Sequence, residues 1–471
     1  MTSALERRQT ALVYLGIVVL SLYVGTTVAR GQEELSKPLL ALVGLTGLVL
    51  LTSVPPNVLF ASWLFVAPLF QSAADLSSLG RALTWALYIA PALLMLVLTF
   101  VRREREHGVP MRLVDWLPAA YVGYVVASIL LTTDDLESNP TGTGKAIFII
   151  VGLGPVVYYF LTLGPGARIA PPLILGTVMA AGLVQGFFGL VEYATGWNLW
   201  SFTGWQRTVG GGRVVATLAN PGVLGAFLGV AIVTAVAALI WRGPPRLRQL
   251  AWATIALCTP ALLLTLTRGP ILATLAVVVL LLVLGRARVL GVAVLLFSGL
   301  LLALLLPSLQ NTETYKARVA QKATVELRVG IQDISLRLAE EKPVLGWGYG
   351  SFDRVKNASQ ISVEGIPVRS ILETTSHNSY LTILVELGVI GLLLYATLFV
   401  VLGYRALRSR SRGPDRWILI ASVGSLAVIA ISASTLDFRF FSFVLMLPYV
   451  FLALLRRSTE ATRGDETAPS T

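Results

Sequence analysis

The polar stretch NTETYKARVAQKATVELRVGIQDISLRLAEEKPVLGWGYGSF spans residues 311–352, and SHNSYLTILVELGVIGLLLY follows at residues 376–395. Both belong to, or border, one long polar interruption at residues 308–378 of a chain that is otherwise apolar. The chain is 55% hydrophobic and only 13% charged, whereas a soluble domain carries about 25% charged residues. Composition therefore predicts an integral membrane protein with one large polar loop.

Apolar segments on both sides of this loop approach the length of a membrane span, which is about 20 residues. They lie at residues 11–29, 38–53, 57–70, 81–100, 115–132, 145–163, 171–194, 216–241, 249–267, 270–285, 289–307, 379–403, 416–435 and 440–455. The second and third are short enough to form a single hairpin. We therefore predict an all-α, polytopic fold with about 12–14 transmembrane helices. Both limits are even numbers, and an even number of spans places both termini on the same side of the membrane.

The distribution of arginines predicts on which side of the membrane the two termini lie. They cluster in the loops that share a side with the N-terminus, at Arg102, Arg103, Arg105, Arg112, Arg242, Arg246, Arg248, Arg286, Arg288, Arg405, Arg408, Arg410, Arg412 and Arg416, and in the tail at Arg456 and Arg457. The short loops of the other side, SAADLSSLG and TTDDLESNPTGTGK, are acidic or neutral. Since basic residues favour cytoplasmic loops, both termini are predicted to be cytoplasmic. The same bias explains the net charge of +12 without a nucleic-acid partner.

These patterns divide the chain into five regions. Residues 1–170 and 171–307 are predicted to be transmembrane helices, the second set with outward arginine loops. Residues 308–378 form the large outer loop, residues 379–457 form C-terminal transmembrane helices, and residues 458–471 form a polar tail predicted to be disordered. Two histidines and one cysteine exclude the usual ligand clusters of zinc or haem.

The outer loop contains one amphipathic segment. Apolar side chains recur at near-helical spacing, at Val325, Val329, Ile331, Ile334, Leu336 and Leu338. This pattern predicts a helix that lies along the membrane surface and ends at Pro343. The following GWGYGSF is predicted to be a glycine-rich turn.

Five charged or titratable residues next to outward span ends have no explanation in the positive-inside bias: Arg207, Arg213, Arg268, His377 and Arg439. Arg268 joins two spans with almost no loop, and an arginine there either extends to lipid headgroups or binds an anion. Arg207 and Arg213 flank a glycine run, which brings backbone N–H groups close to an anion or simply forms a loop. Guanidinium forks match phosphate oxygens.

His377 precedes the first span after the loop. Histidine has the side-chain pKa nearest neutral pH, so His377 is a candidate general base. The alternative is a solvated imidazole in a helix-capping region. Glu386, further along the same helix, is predicted to be a hydrogen-bonding partner inside the bundle rather than a catalyst.

The segments GGRVVATLANPGVLGAFL, LTLTRGPILA, PVLGWGYGSF and SHNSYLTILVELGVIGLLLY together resemble the O-antigen ligase and polymerase superfamily, over residues 180–455. The resemblance implies a GT-C-type glycosyltransferase of the bacterial inner membrane with a periplasmic loop. Such enzymes take a glycan from undecaprenyl diphosphate and need no cofactor or metal. Ligases transfer it to a sugar hydroxyl of lipid A–core, polymerases to the next lipid-linked repeat unit, and other relatives to protein.

The resemblance also implies roles for individual residues. It makes His377 catalytic, places Arg207, Arg213 and Arg268 on the diphosphate, and gives supporting roles to Asn220, Asn378 and Glu386. The NPG around Asn220 departs from many relatives, which have a second polar residue after the proline. The function predicted from the sequence is an inverting, metal-independent O-antigen ligase whose partners are the lipid-linked glycan, lipid A–core or another glycan acceptor, and membrane lipids. Two alternatives remain: an O-antigen or exopolysaccharide polymerase, and a transporter of lipid-linked glycans.

Overall fold

A computed structural model describes residues 54–75, 78–101, 108–132, 152–199, 213–218, 220–285, 322–359, 368–374, 376–408 and 415–467, with isolated positions at 289, 296, 299 and 300. The structural statements below concern these residues alone. Arg207 and the predicted spans at 11–29 and 38–53 lie outside them, as does nearly all of the span at 289–307.

Every regular element in the described ranges is helical, which confirms the all-α prediction. The α-helices are α1 (Pro56–Val66), α2 (Ser78–Val101), α3 (Leu117–Thr132), α4 (Leu153–Thr162), α5 (Pro171–Thr195), α6 (Pro221–Ile240), α7 (Pro245–Leu264), α8 (Arg268–Leu284), α9 (Lys322–Glu341), α10 (Phe352–Ala358), α11 (Val368–Glu373), α12 (Ser379–Arg408), α13 (Arg416–Ala433) and α14 (Ser442–Thr467). Short 3-10 turns occupy Ala67–Asp75, Leu113–Trp116, Pro165–Arg168 and Phe438–Phe440.

Six helical segments among the described residues are long and apolar enough to cross a bilayer, and shorter apolar helices accompany them. The long ones are Leu113–Leu131, Pro171–Thr195, Pro221–Ile240, Pro245–Leu264, Ser379–Ala406 and Arg416–Ala433. The chain is therefore a multi-pass membrane protein, as predicted. The total of about 12–14 spans stays a prediction, because several candidate segments lie outside the described ranges.

Helix α6 forms the centre of the bundle and contacts α5, α7, α8 and α13. Its sequence PGVLGAFLGVAIVTAVAALI is apolar on every face, which is the pattern of a helix surrounded by other helices. The helix starts later than the predicted span at residue 216, because Asn220 caps it and Pro221 occupies its first turn. Residues 213–218, just before it, are not helical.

Helix α12 is broken at Gly388, whose backbone is not helical (φ 63°, ψ −169°). The glycine turn of the loop supplies the hydrogen bonds that the break leaves open. Trp347 N donates to the Val385 carbonyl at 2.9 Å, and Gly348 N donates to the Glu386 carbonyl at 2.8 Å. A Cβ on Gly388 or on Gly346 would overlap the facing backbone, so both positions require glycine. The predicted turn therefore attaches the loop to α12.

The amphipathic loop helix is present as α9, and it ends at Glu341, before Pro343. Its buried side chains, Ile331, Ile334 and Leu338, form a small core of their own with side chains of α10, α11 and α12. Val329 and Leu336 stay exposed. The prediction that the apolar face lies on the membrane surface is therefore wrong for these buried side chains, because protein covers them.

The C-terminal tail also differs from its prediction. Helix α14 continues to Thr467, beyond residue 457 at which the tail was predicted to become disordered. Glu460 lies one turn after Arg456 and pairs with its guanidinium at 2.6 Å. Arg112, from before α3, pairs with the same carboxylate. These ion pairs hold the first turn of the predicted tail in the helix.

Candidate active site

Helices α6, α8 and α12 begin at the same end of the bundle. We call this the site end. Their first turns converge on residues 434–438, which follow α13. A Cβ on Gly269 would overlap Thr435 Oγ1, and a Cβ on Gly222 would lie 2.5 Å from Leu436 Cδ2. Ser379 Oγ donates to the Leu436 carbonyl at 2.8 Å. The partial positive charges of three helix N-termini therefore face one small region.

Arg213 is buried at the site end, in the irregular segment 213–218. Its Nε donates to the Thr265 carbonyl at 2.8 Å, and its Nη2 donates to Thr267 Oγ1 at 2.6 Å. Both acceptors belong to the tight turn between α7 and α8. Arg268 is the next residue after Thr267, so the structure places the two predicted arginines around one turn.

Arg268 is exposed and begins α8. The residue before it, Thr267, makes no side-chain hydrogen bond to cap this helix. By contrast, Asn220 Oδ1 caps α6 by accepting from Gly222 N at 2.8 Å and from Val223 N at 3.3 Å. An uncapped helix N-terminus beside a guanidinium is suited to bind an anion.

His377 lies two residues before the start of α12 and is half-buried. Asn378 performs the capping function, because its Oδ1 accepts from Tyr380 N at 3.0 Å and from Leu381 N at 3.2 Å. The backbone of His377 has a positive φ of 49°, which is uncommon for a residue other than glycine. Such backbone conformations concentrate at functional sites. Asn378 thus caps α12, and the two interpretations of His377, a general base or a solvated imidazole in the capping region, both stay predictions.

Glu386 lies further along α12 in a buried ion-pair network. Arg439 Nη1 donates to Glu386 Oε1, and Arg439 Nη2 donates to Asp437 Oδ2 at 2.7 Å. Phe352 N, at the start of α10, also donates to Glu386 Oε1 at 3.0 Å. Burial lowers the pKa of Arg439, but the carboxylates of Glu386 and Asp437 outweigh that effect and raise it above its ordinary value. Glu386 thus links α12, the loop and the turn after α13, in agreement with its predicted bonding role.

The sequence marks Arg439 as an outward charge but identifies neither of its two partners. Asp437 was missed altogether, although LDFRFF places two opposite charges between two apolar spans. That pattern is a usable signal, because an intramembrane charge needs a partner of opposite sign. Of the predicted site residues, Asn220, Arg213, Arg268, His377 and Asn378 lie at the site end, with Glu386 two turns along α12 from it. Arg207 lies outside the described ranges.

A comparison with protein-family models finds one described as O-antigen ligase, which matches residues 253–396. The matched range contains Arg268, His377, Asn378 and Glu386, whereas Arg213 and Asn220 precede it. A search of curated proteins finds no match. The family match supports the superfamily that the sequence motifs resemble, over a shorter range than residues 180–455.

Proposed function

We propose that this chain, whose residues 253–396 match a family model described as O-antigen ligase, transfers a glycan from undecaprenyl diphosphate to a sugar hydroxyl of lipid A–core. The family supports a glycosyltransferase of the ligase or polymerase type that works on a lipid-linked glycan. The donor, the acceptor and the roles of individual residues are our proposals. They rest on one observation: Arg213, Arg268 and His377 all lie where α6, α8 and α12 begin.

The two arginines hold the donor diphosphate in this proposal. Arg268 is exposed beside the uncapped start of α8, and the Arg213 guanidinium bonds to the turn that leads into it. Two guanidinium groups and open backbone N–H groups stabilise the negative charge that develops on the leaving diphosphate. Since the lipid diphosphate is already an activated leaving group, these residues need only orient it and neutralise that charge.

His377 is the general base in this proposal. The acceptor hydroxyl oxygen attacks the anomeric carbon of the donor sugar and forms the new glycosidic bond. The bond from that carbon to the phosphate oxygen breaks, and the lipid diphosphate leaves with the electron pair. The hydroxyl proton passes to the imidazole. A single displacement of this kind inverts the anomeric configuration.

The orientation in the membrane follows from the distribution of basic residues. Exposed arginines stand at the end of the bundle opposite to the site, at the beginning of α7, the end of α12 and the beginning of α13: Arg246, Arg248, Arg408 and Arg416. By the positive-inside bias, we propose that this opposite end faces the cytoplasm, together with both termini. The site then faces the periplasm of a bacterial inner membrane.

Transfer from a synthetic undecaprenyl-diphosphate glycan tests this function. Purified protein receives the donor together with lipid A–core in one reaction, and the donor alone in a second. Product in the first reaction only supports the ligase. Lengthened lipid-linked glycan in the second indicates a polymerase of the same superfamily. Bound lipid without product in either reaction would contradict both activities and favour a transporter or a different acceptor, such as protein.

A further inference from the structure

The segment that carries Arg213 is an irregular piece of backbone in the interior of a membrane protein. Residues 214–218 are all fully buried or nearly so. Backbone N–H groups in such a place have no water to bond and must find partners in the protein. The partners that they find therefore decide where the segment, and with it Arg213, is held.

Two side chains of α5 supply three of these partners. Glu192 Oε2 accepts from Val215 N at 2.9 Å and from Ala216 N at 2.7 Å. Gln185 Oε1 accepts from Thr217 N at 3.3 Å, and Gln185 Nε2 donates to Thr217 Oγ1 at 2.6 Å. Both α5 side chains are almost fully buried. The irregular segment thus lies along α5 and is hydrogen-bonded to two of its side chains.

Spacing along α5 explains how both side chains reach the segment. Gln185 and Glu192 are seven residues apart and lie on one face of the helix, two turns from each other. Gly189 lies between them on that face, and a Cβ there would be 3.7 Å from Val214 Cγ2. A small residue at the middle position lets the segment pack against the helix, with a polar side chain on either side. We call this face, formed by Gln185, Gly189 and Glu192, the α5 seat.

The α5 seat also holds a backbone conformation that is otherwise unfavourable. Ala216 has a positive φ of 48°, which a residue with a Cβ rarely adopts. Its N–H is bound by Glu192, and its carbonyl accepts from Asn198 Nδ2 at 2.5 Å. Surrounding contacts that fix a strained residue are typical of places where a precise position matters.

We infer that Glu192 and Gln185 are positioning residues, which set the place of the Arg213 guanidinium relative to Arg268 and to the donor diphosphate. This inference rests on the proposed function and adds two residues that act through Arg213. The physical reason is the limited reach of the Arg213 side chain. Its guanidinium contacts the turn before Arg268 only if the segment 213–218 is held at one position along α5. A displacement of about 1 Å at a reacting group can lower a rate on the order of 100-fold.

Glu192→Ala and Glu192→Gln test the inference. The glutamine keeps an oxygen that can accept from Val215 N and Ala216 N, so we expect it to retain most activity. The alanine removes the acceptor, and we expect its transfer rate per folded molecule to fall on the order of 100-fold. If Glu192→Ala does not fold, Gln185→Leu is the second variant. We expect its transfer rate per folded molecule to be lower than that of the wild type as well. Asp115→Asn is the matched control, since Asp115 is also a buried carboxylate but lies at the opposite end.

A double-mutant cycle with Arg213→Ala separates positioning from a general loss of stability. If Glu192 acts through Arg213, adding Glu192→Ala to Arg213→Ala causes little further loss of rate. Losses that multiply, or a Glu192→Ala protein with the rate of the wild type, would overturn the inference and leave the proposed function intact. Full transfer by Arg213→Ala alone would instead overturn the proposed role of Arg213, and the inference with it.

Discussion

The two ends of the helix bundle use arginine in different ways. At the end opposite to the site, Arg456 is buried against Asp115, with its Nε 2.9 Å from Oδ1, and also pairs with Glu460. At the site end, the hydrogen bonds of Arg213 described above go to neutral oxygen atoms of Thr265 and Thr267. Arg456, which braces the fold, is thus paired with two carboxylates, whereas these two hydrogen bonds of Arg213 have neutral acceptors.

Arg439 shows that this difference is not simply one of location. It lies near the site, but Glu386 and Asp437 bind its guanidinium. Its positive charge is therefore balanced inside the protein. Arg439 therefore belongs to the frame that holds α12 in place, whereas we propose that Arg213 and Arg268 bind the substrate. The variants below test this difference between arginines that stabilise the fold and arginines proposed to bind substrate.

The largest effect is expected from His377→Ala. Loss of a general base lowers the rate by about 100- to 10,000-fold. Transfer kinetics with purified protein measure the rate, and thermal unfolding in detergent checks the fold. A variant that keeps full transfer activity would remove His377 from the mechanism.

Arg268→Lys is expected to lower the rate on the order of 100-fold. Lysine keeps the positive charge but cannot make the forked contact of a guanidinium with phosphate oxygens. The matched control is Arg246→Lys, at an exposed arginine of the opposite end, where we expect no change in rate. Equal rates for both variants would show that Arg268 extends to lipid headgroups and does not bind substrate.

Asp115→Ala should affect stability and not catalysis. It leaves the buried Arg456 without its main partner, and breaking a buried ion pair in this way costs about 3–5 kcal/mol. We expect a lower unfolding temperature in detergent but an unchanged transfer rate per folded molecule. A rate loss in correctly folded protein would contradict the division between a bracing end and a binding end.

The smallest effect is expected at Gly350 in the glycine turn, and a larger one at Gly388 in α12. Gly350 has a positive φ of 84° and open space around it, whereas Gly388 combines a positive φ of 63° with a close backbone contact to Val344. Gly350→Ala should cost about 1–2 kcal/mol of stability from φ alone. Gly388→Ala should cost about 1–3 kcal/mol more, because the methyl group displaces the loop. Chemical or thermal unfolding of the two variants measures the difference, and equal losses would show that the loop does not depend on the break in α12.

Much of the fold could be predicted from the sequence because membrane spans depend on local composition. Apolar runs such as PGVLGAFLGVAIVTAVAALI have one stable outcome in a bilayer, a helix. The irregular parts were missed because their causes are not local. The break at Gly388 depends on hydrogen bonds from residues 343–348, about 40 positions earlier in the chain. The polar loop helix α9 was predicted, but the protein surface that covers its apolar face was not, for the same reason.

The candidate site shows a similar division. Arg213, Arg268 and His377 could be named from the sequence, since the positive-inside bias does not explain a charge next to an outward span end. The α5 seat could not, because Glu192 and Gln185 contact a segment that follows them by more than 20 residues. A carboxylate inside an apolar helix signals a buried partner, but only the structure shows that the partner is the backbone of residues 215 and 216.

Binding of undecaprenyl diphosphate to three purified proteins tests the central claim most directly: the wild type, His377→Ala, and the double variant Arg213→Gln/Arg268→Gln. We predict that His377→Ala binds the lipid diphosphate as the wild type does but transfers no glycan, whereas the double variant loses binding. If the double variant binds with the affinity of the wild type, the two arginines do not hold the diphosphate. In that case the comparison between the two ends of the bundle would lose its functional meaning.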